Sequence, residues 1–197
     1  FTLEAAGALG YYLGARWSQA AAALDALRAG AFASKARNWE ARFVDVCHVQ
    51  AHADDTHLDW TAAQVERIRR DCQARGDRLG QAGIALVPGV LVALLRTGEV
   101  SAGQALRDGA EAVWGQHLLP DLEFRLKAAD VLLALAREDG DDALAQLDSL
   151  PFHIRSLRRM RLPRLVLDSL TARALLHLNR SWRQSRRLRG LLGQLRE

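Results

Sequence analysis

The stretch Tyr11-Tyr12-Leu13-Gly14-Ala15-Arg16-Trp17-Ser18-Gln19-Ala20 decides the fold. Ala8, Tyr11 and Tyr12 lie on one face of a helical pattern, Gly14 breaks it, and Trp17 opens a second pattern carried on by Ala20, Leu24 and Leu27. Two apolar helix faces joined by so short a break form a helical hairpin. The punctuation returns at Trp60 and Ala63, at Gly98 and Ala102, at Gly140 and Ala143, and at Trp182 and Ser185. Taking the small residue of each second helix, Ala20, Ala63, Ala102, Ala143 and Ser185 are separated by 43, 39, 41 and 42 positions. The period is therefore about 41 residues, and five hairpins fill the chain at about 2–34, 35–78, 79–117, 118–152 and 153–197. A small side chain suits a position where antiparallel helices cross closely, because a bulky one would hold them apart.

Composition agrees with an all-α chain. Of 197 residues, 34 are Ala and 34 Leu, whereas Val, Ile and Thr together make 19, so helix formers dominate and a large sheet is excluded. The 49% apolar content rules out disorder. No apolar run approaches the roughly 18 residues of a membrane span, and the start, Phe1 to Arg16, lacks a basic segment followed by a short apolar one. Neither membrane insertion nor a secretory leader is expected. Cys47 and Cys72, 25 positions apart, are too few for a disulfide framework, which fits a reducing, cytoplasmic compartment.

Hairpins of this kind bury their apolar faces on one another, so residues 1–197 read as one α-solenoid domain with a concave surface. Tyr11, Trp17, Trp60 and Trp182 are assigned to packing within and between hairpins, with Ala20, Ala63, Ala102 and Ala143 at the crossings. Trp39 and Trp114 are given the same packing role. Pro88 and Pro163 fall inside helical patterns and should kink or divide them, while Pro120 and Pro151 suit helix boundaries. The chain lacks an initiator Met and stops without a terminator after Leu188, as a piece of a longer protein would.

At these residues the sequence resembles the tetratricopeptide (TPR-like) helical repeats, although 41 residues exceeds their usual period. It is similar in particular to the C-terminal helical region of large bacterial eukaryote-like Ser/Thr protein kinases that carry an ATPase module. The anchors are Asn38-Trp39-Glu40, Ala74-Arg75-Gly76-Asp77, Trp114 followed by Leu118, and Ser156-Leu157-Arg158-Arg159 leading to Ala172-Arg173-Ala174-Leu175-Leu176. The resemblance implies a non-catalytic scaffolding or sensor module of a signalling protein, meeting a protein or peptide on its concave face or neighbouring domains of its own chain. No cofactor is expected. No Gly-x-Gly-x-x-Gly, no Gly-x-x-x-x-Gly-Lys, no His-Arg-Asp and no Asp-Phe-Gly occurs, so any kinase or ATPase machinery of the parent lies outside these residues.

Two constellations compete with that reading. Cys47, His48, His52, Asp54, Asp55, His57 and Asp59 are dense in potential ligands, and His48 and His52 share a helix face at i, i+4. The metalloprotease Glu is missing, because Val49 follows His48, and Ala51-His52-Ala53-Asp54-Asp55 resembles a deacetylase metal motif without its strand and glycine turn. A polar inter-helix turn is the favoured reading; a metal site from His48, His52, Asp55 and His57, serving a hydrolase, is the minor one. The second is charge. Residues 1–150 sum to −6 and residues 151–197 to +10. Arg158, Arg159, Arg161, Arg183, Arg186 and Arg187 read as the outer face of amphipathic helices, either solvated or set against an acidic neighbouring module, and the clusters Glu138-Asp139 and Asp141-Asp142 one repeat earlier could also meet such a face. The alternative function is nucleic acid or another anion bound by a transcription regulator.

Overall fold

The computed structural model describes residues 3–29, 38–53, 58–114, 120–159 and 161–178, and among them it is all-helical with no strand. The helices are α1 (Leu3–Leu13), α2 (Trp17–Ala29), α3 (Asn38–Ala53), α4 (Leu58–Ala74), α5 (Arg78–Ile84), α6 (Val90–Thr97), α7 (Val100–Trp114), α8 (Pro120–Ala136), α9 (Gly140–Asp148), α10 (Phe152–Ser156) and α11 (Arg161–His177). A π-helical turn, Ala85–Gly89, joins α5 to α6, and a 3-10 turn, Leu157–Arg159, follows α10.

Local chemistry sets the turns. After α1 the chain turns at Ala15, whose φ is 53°; Arg16 N–H reaches back to Tyr11 C=O at 2.9 Å and Ala15 N–H to Tyr12 C=O at 2.9 Å. The same pair of bonds closes α4 around Gly76 and α8 around Glu138. These are Schellman ends, in which one left-handed residue satisfies carbonyls that the helix leaves over. Gly98 ends α6 with the simpler bond to Leu94 C=O at 3.0 Å. The next helix then begins at once, Asp77 capping the Gly80 N–H and Asp139 the Asp142 N–H, each at 2.9 Å.

The stretch from Arg78 to Thr97 is long and apolar enough, by length and composition, to cross a membrane, contrary to the expectation that no apolar run approaches that length. It is 56% buried inside this fold and is bent. Pro88 has no N–H to give Ile84, and the backbone at Leu86 (ψ −107°) leaves the helical region, producing the π turn expected of a proline in mid-helix. Pro163 behaves differently. It falls in the first turn of α11, where a missing N–H costs nothing, and the division comes before it, at the 3-10 turn. Pro120 opens α8 and Pro151 caps α10.

α1, α3, α5 with α6, α8 and α11 form an inner set, and α2, α4, α7 and α9 lie outside, each packed on the inner helix before it and the one after it. Around the inner set α1 packs on α3, α3 on α5, the π turn on α8, and α8 on α11. α11 then meets α1 again, and Leu162 joins the core formed by Ala5, Ala8, Tyr12, Leu24 and Val44. A stack whose units touch only their neighbours has no such contact; here the inner helices close into a ring. α8 is the hub. Its eleven buried residues, Leu122 through Leu135, lie on every side of the helix, which is the pattern of a helix enclosed by neighbours rather than facing water.

Small residues govern the closest approaches, though not all of those expected. Ala20 and Ala143 are fully buried. Ala63 instead faces outward, and α4 packs through Thr61, Ala62, Val65, Ile68 and Cys72. Ala102 is only half-buried; the tight crossing of α7 belongs to its neighbour Gly103, where a Cβ would lie 3.0 Å from Leu133 Cδ2. Both registers slip by one residue because Ala-rich helices present small side chains on several faces. The buried aromatic of α1 is likewise Tyr12, with Tyr11 38% exposed.

Candidate functional site

Inside the ring lies a cleft of about 420 Å³. Trp17 comes from the start of α2, Gln50 from α3, Val87 and Leu91 from the bent helix, Leu132 from α8, and Leu162, Leu165, Ser169 and Arg173 from α11. The periodicity of α11 explains the last set: positions 162, 165, 169 and 173 lie along one stripe of a helix. Trp17 is held edge-on against the Tyr12 ring, centroids 6.0 Å apart. The walls are apolar apart from Gln50, Ser169 and Arg173, and Arg173 is exposed with no ion-pair partner among the described residues.

Beside the cleft is a buried polar knot. Tyr12 O–H donates to Gln50 Oε1 at 2.5 Å, and the Arg125 guanidinium donates to the same oxygen at 3.1 Å and through Nε to Asp121 Oδ2 at 2.8 Å. Three inner helices are thereby tied by side chains that are, apart from Asp121, largely out of water. Burial pushes the Tyr12 phenol well above its ordinary range, and burial likewise raises the Cys47 thiol to about 12. Burial opposes the charge on Arg125, but Asp121 together with Tyr12 and Cys47 outweighs it, and the guanidinium is raised above its ordinary range. Cys47 is therefore a packed thiol with no thiolate character at neutral pH, and Cys72 is likewise buried.

The second cluster lies between the first two hairpins. His48, buried on α3, has its Nε2 2.6 Å from Asp25 Oδ1 on α2, and Arg28 NH1 donates to its Nδ1 at 2.9 Å. An arginine cannot accept, so neutral His48 carries its proton on Nε2 and gives it to Asp25. Arg28 also pairs with Asp45 at 3.0 Å. Burial lowers the pKa of His48, keeping the ring neutral. His52, one turn on, packs 4.6 Å from both the His48 and Trp60 rings, so that Trp60 of α4 packs on α3 within the second hairpin.

Of the sequence-derived candidates, then, His48 and His52 are brought together, while Asp55 and His57 lie outside the described residues. Asp25 is the carboxylate that lies beside them, and only its spacing of three from Arg28 on an otherwise uncharged helix hinted at it. Arg159 and Arg161 are exposed, whereas Arg183, Arg186, Arg187 and Trp182 lie outside the described residues, as do the side chains of Trp39, Trp114 and Arg158. Asp139 caps α9, and Asp141 and Asp142 lie in its first turn, where the helix dipole favours an acid. Comparison with protein-family models, with curated proteins and with solved structures gave no match.

Proposed function

We propose that this chain is a non-catalytic interaction module, a TPR-like helical-repeat segment of a multidomain bacterial signalling protein in the cytoplasm, whose inner cleft takes a peptide segment of a partner. The observation that carries it is the cleft of about 420 Å³, mostly apolar on its walls, with Arg173 its one charged lining residue among the described residues. Buried apolar side chains of a bound segment would supply affinity, and an acidic side chain or terminal carboxylate at Arg173 would set its direction. The Schellman turns and the sharing of each outer helix between two inner ones support the repeat reading; ring closure through α1 and α11 makes the concavity a bounded pocket rather than a long open trough.

A display selection of short random peptides against the protein tests this, with Leu165→Glu and Ser169→Trp as cleft-blocked counterparts. Selected peptides should be apolar with an acidic position, should lose at least tenfold in affinity on either variant, and should bind more weakly to Arg173→Gln. Peptides that bind wild type and both blocked variants equally would remove the cleft from the function. Binding of duplex DNA that weakens steeply with salt and ignores the cleft variants would favour the nucleic-acid alternative.

A further inference from the structure

We infer that Asp25, His48 and His52 form a binding site for a divalent transition-metal ion of zinc type, which clips the first hairpin to the second. The donor atoms of the three residues lie within 4.8 Å of one another. Two imidazoles spaced i, i+4 on α3 and a carboxylate from α2 are the donor set that first-row divalent ions with a preference for nitrogen select, with zinc–ligand distances of about 2.0 to 2.2 Å. An independent sign comes from His52 itself. Its Nε2 is buried without a hydrogen-bond partner, and Asp25 Oδ2, at 3.4 Å, makes only a loose ion contact. A buried imidazole nitrogen left without a partner is costly, and a metal ion would satisfy it. Trp60 closes one side of the site by packing on both rings, while Asp25, 57% exposed, leaves the other side open to water or to a ligand from a partner.

The metal-free arrangement differs from the loaded one in a definite way. To ligate through Nε2, His48 must present a lone pair there, so the proton now shared with Asp25 has to move to Nδ1. Nδ1 faces the Arg28 guanidinium, which only donates, so Arg28 must withdraw on loading. Arg28 therefore competes with the metal, both by holding the wrong tautomer and by its charge. Metal ligands of this type normally have an acceptor behind the second ring nitrogen. Arg28→Gln supplies one, an amide oxygen in place of a cation.

The test uses protein stripped with a chelator and titrated with Zn²⁺ by calorimetry, and with Co²⁺ by its visible ligand-field absorption. One equivalent should bind, the melting temperature should rise with Zn²⁺, and His52→Ala or Asp25→Ala should each weaken binding at least tenfold. His153→Ala, at a histidine paired with Glu123 elsewhere on the surface, should leave it unchanged. Arg28→Gln should tighten binding about tenfold, within the range second-layer changes produce. Absence of stoichiometric binding in wild type and Arg28→Gln alike would overturn the inference, as would binding indifferent to His52→Ala and Asp25→Ala. If either alanine variant fails to fold, weaker rather than tighter binding in Arg28→Gln overturns it.

Discussion

Arg125 on α8 donates to the same side-chain oxygen of Gln50, 75 positions earlier on α3, that Tyr12 of α1 also uses. Three inner helices thus share one acceptor beside the cleft, and the charge that stabilises the arrangement is neutralised by Asp121, one turn back on α8. Stability and the shape of the candidate site are coupled through this knot.

An inversion of the usual expectation follows. Asp121 is 59% exposed and Arg125 only 7%, yet removing the exposed partner should do more harm than replacing the buried one. Asp121→Ala strands a buried cation and should cost about 3 kcal/mol, the low end for a broken buried pair because water still reaches the vacated side. Arg125→Met keeps the volume and removes the charge, and should cost less than about 1.5 kcal/mol. Denaturant midpoints of the two variants check the order.

The crossing of α7 provides a register test. Gly103→Leu places a side chain against Leu133 and Leu94 and should destabilise by about 1 to 3 kcal/mol or more. Ala63→Leu, on the outward face of α4, should change stability by less than about 0.5 kcal/mol. Thermal melts of the pair distinguish the crossing residue of α7 from the outward position of α4.

Among the described residues four helix ends use a left-handed residue, and two of them are not glycine: Ala15 at φ 53° and Glu138 at φ 60°. A side chain there costs about 1 to 2 kcal/mol. Glu138→Gly should therefore raise the melting temperature by about 2 to 4 °C for each kcal/mol recovered in a chain of this size. Gly76→Ala and Gly98→Ala, both at φ 67°, should lower it. Differential scanning calorimetry reads all three.

Stability should fall on the alkaline side. The Cys47 thiol is raised from its ordinary 9.0 to about 12 in the folded protein by burial. An acid raised on folding contributes stability fully present below its unfolded value, and this is lost as pH rises through the folded one, because only the unfolded chain can ionise in between. The window is about pH 9 to 12. The Tyr12 phenol, also raised by burial, adds to the same loss. Denaturant midpoints measured across that range should decline, and a thiol reagent at pH 8 should label Cys47 only after unfolding.

What the sequence determined by itself was local. The all-α class and the hairpin breaks at Gly14, Gly98 and Gly140 depend on hydrogen bonds spanning five residues or fewer, so adjacent side chains are enough to read them. Asp77 and Asp139, read as a family anchor and as part of an acidic cluster, are shown by the structure to be caps. The polar turn reading of His48 and His52 was local too, and it missed Asp25, because nothing in the residues around 48 shows which helix will lie across from them. Tertiary structure alone decided which face of each Ala-rich helix goes inward, Ala62 rather than Ala63 and Gly103 rather than Ala102, since neighbouring small side chains differ by only about 100° around the axis and the crossing angle selects among them. It also decided that Leu162 of α11 returns to the core of α1. That contact is the accumulated result of several hairpin-to-hairpin rotations, each set by packing, and no single stretch of sequence encodes the sum.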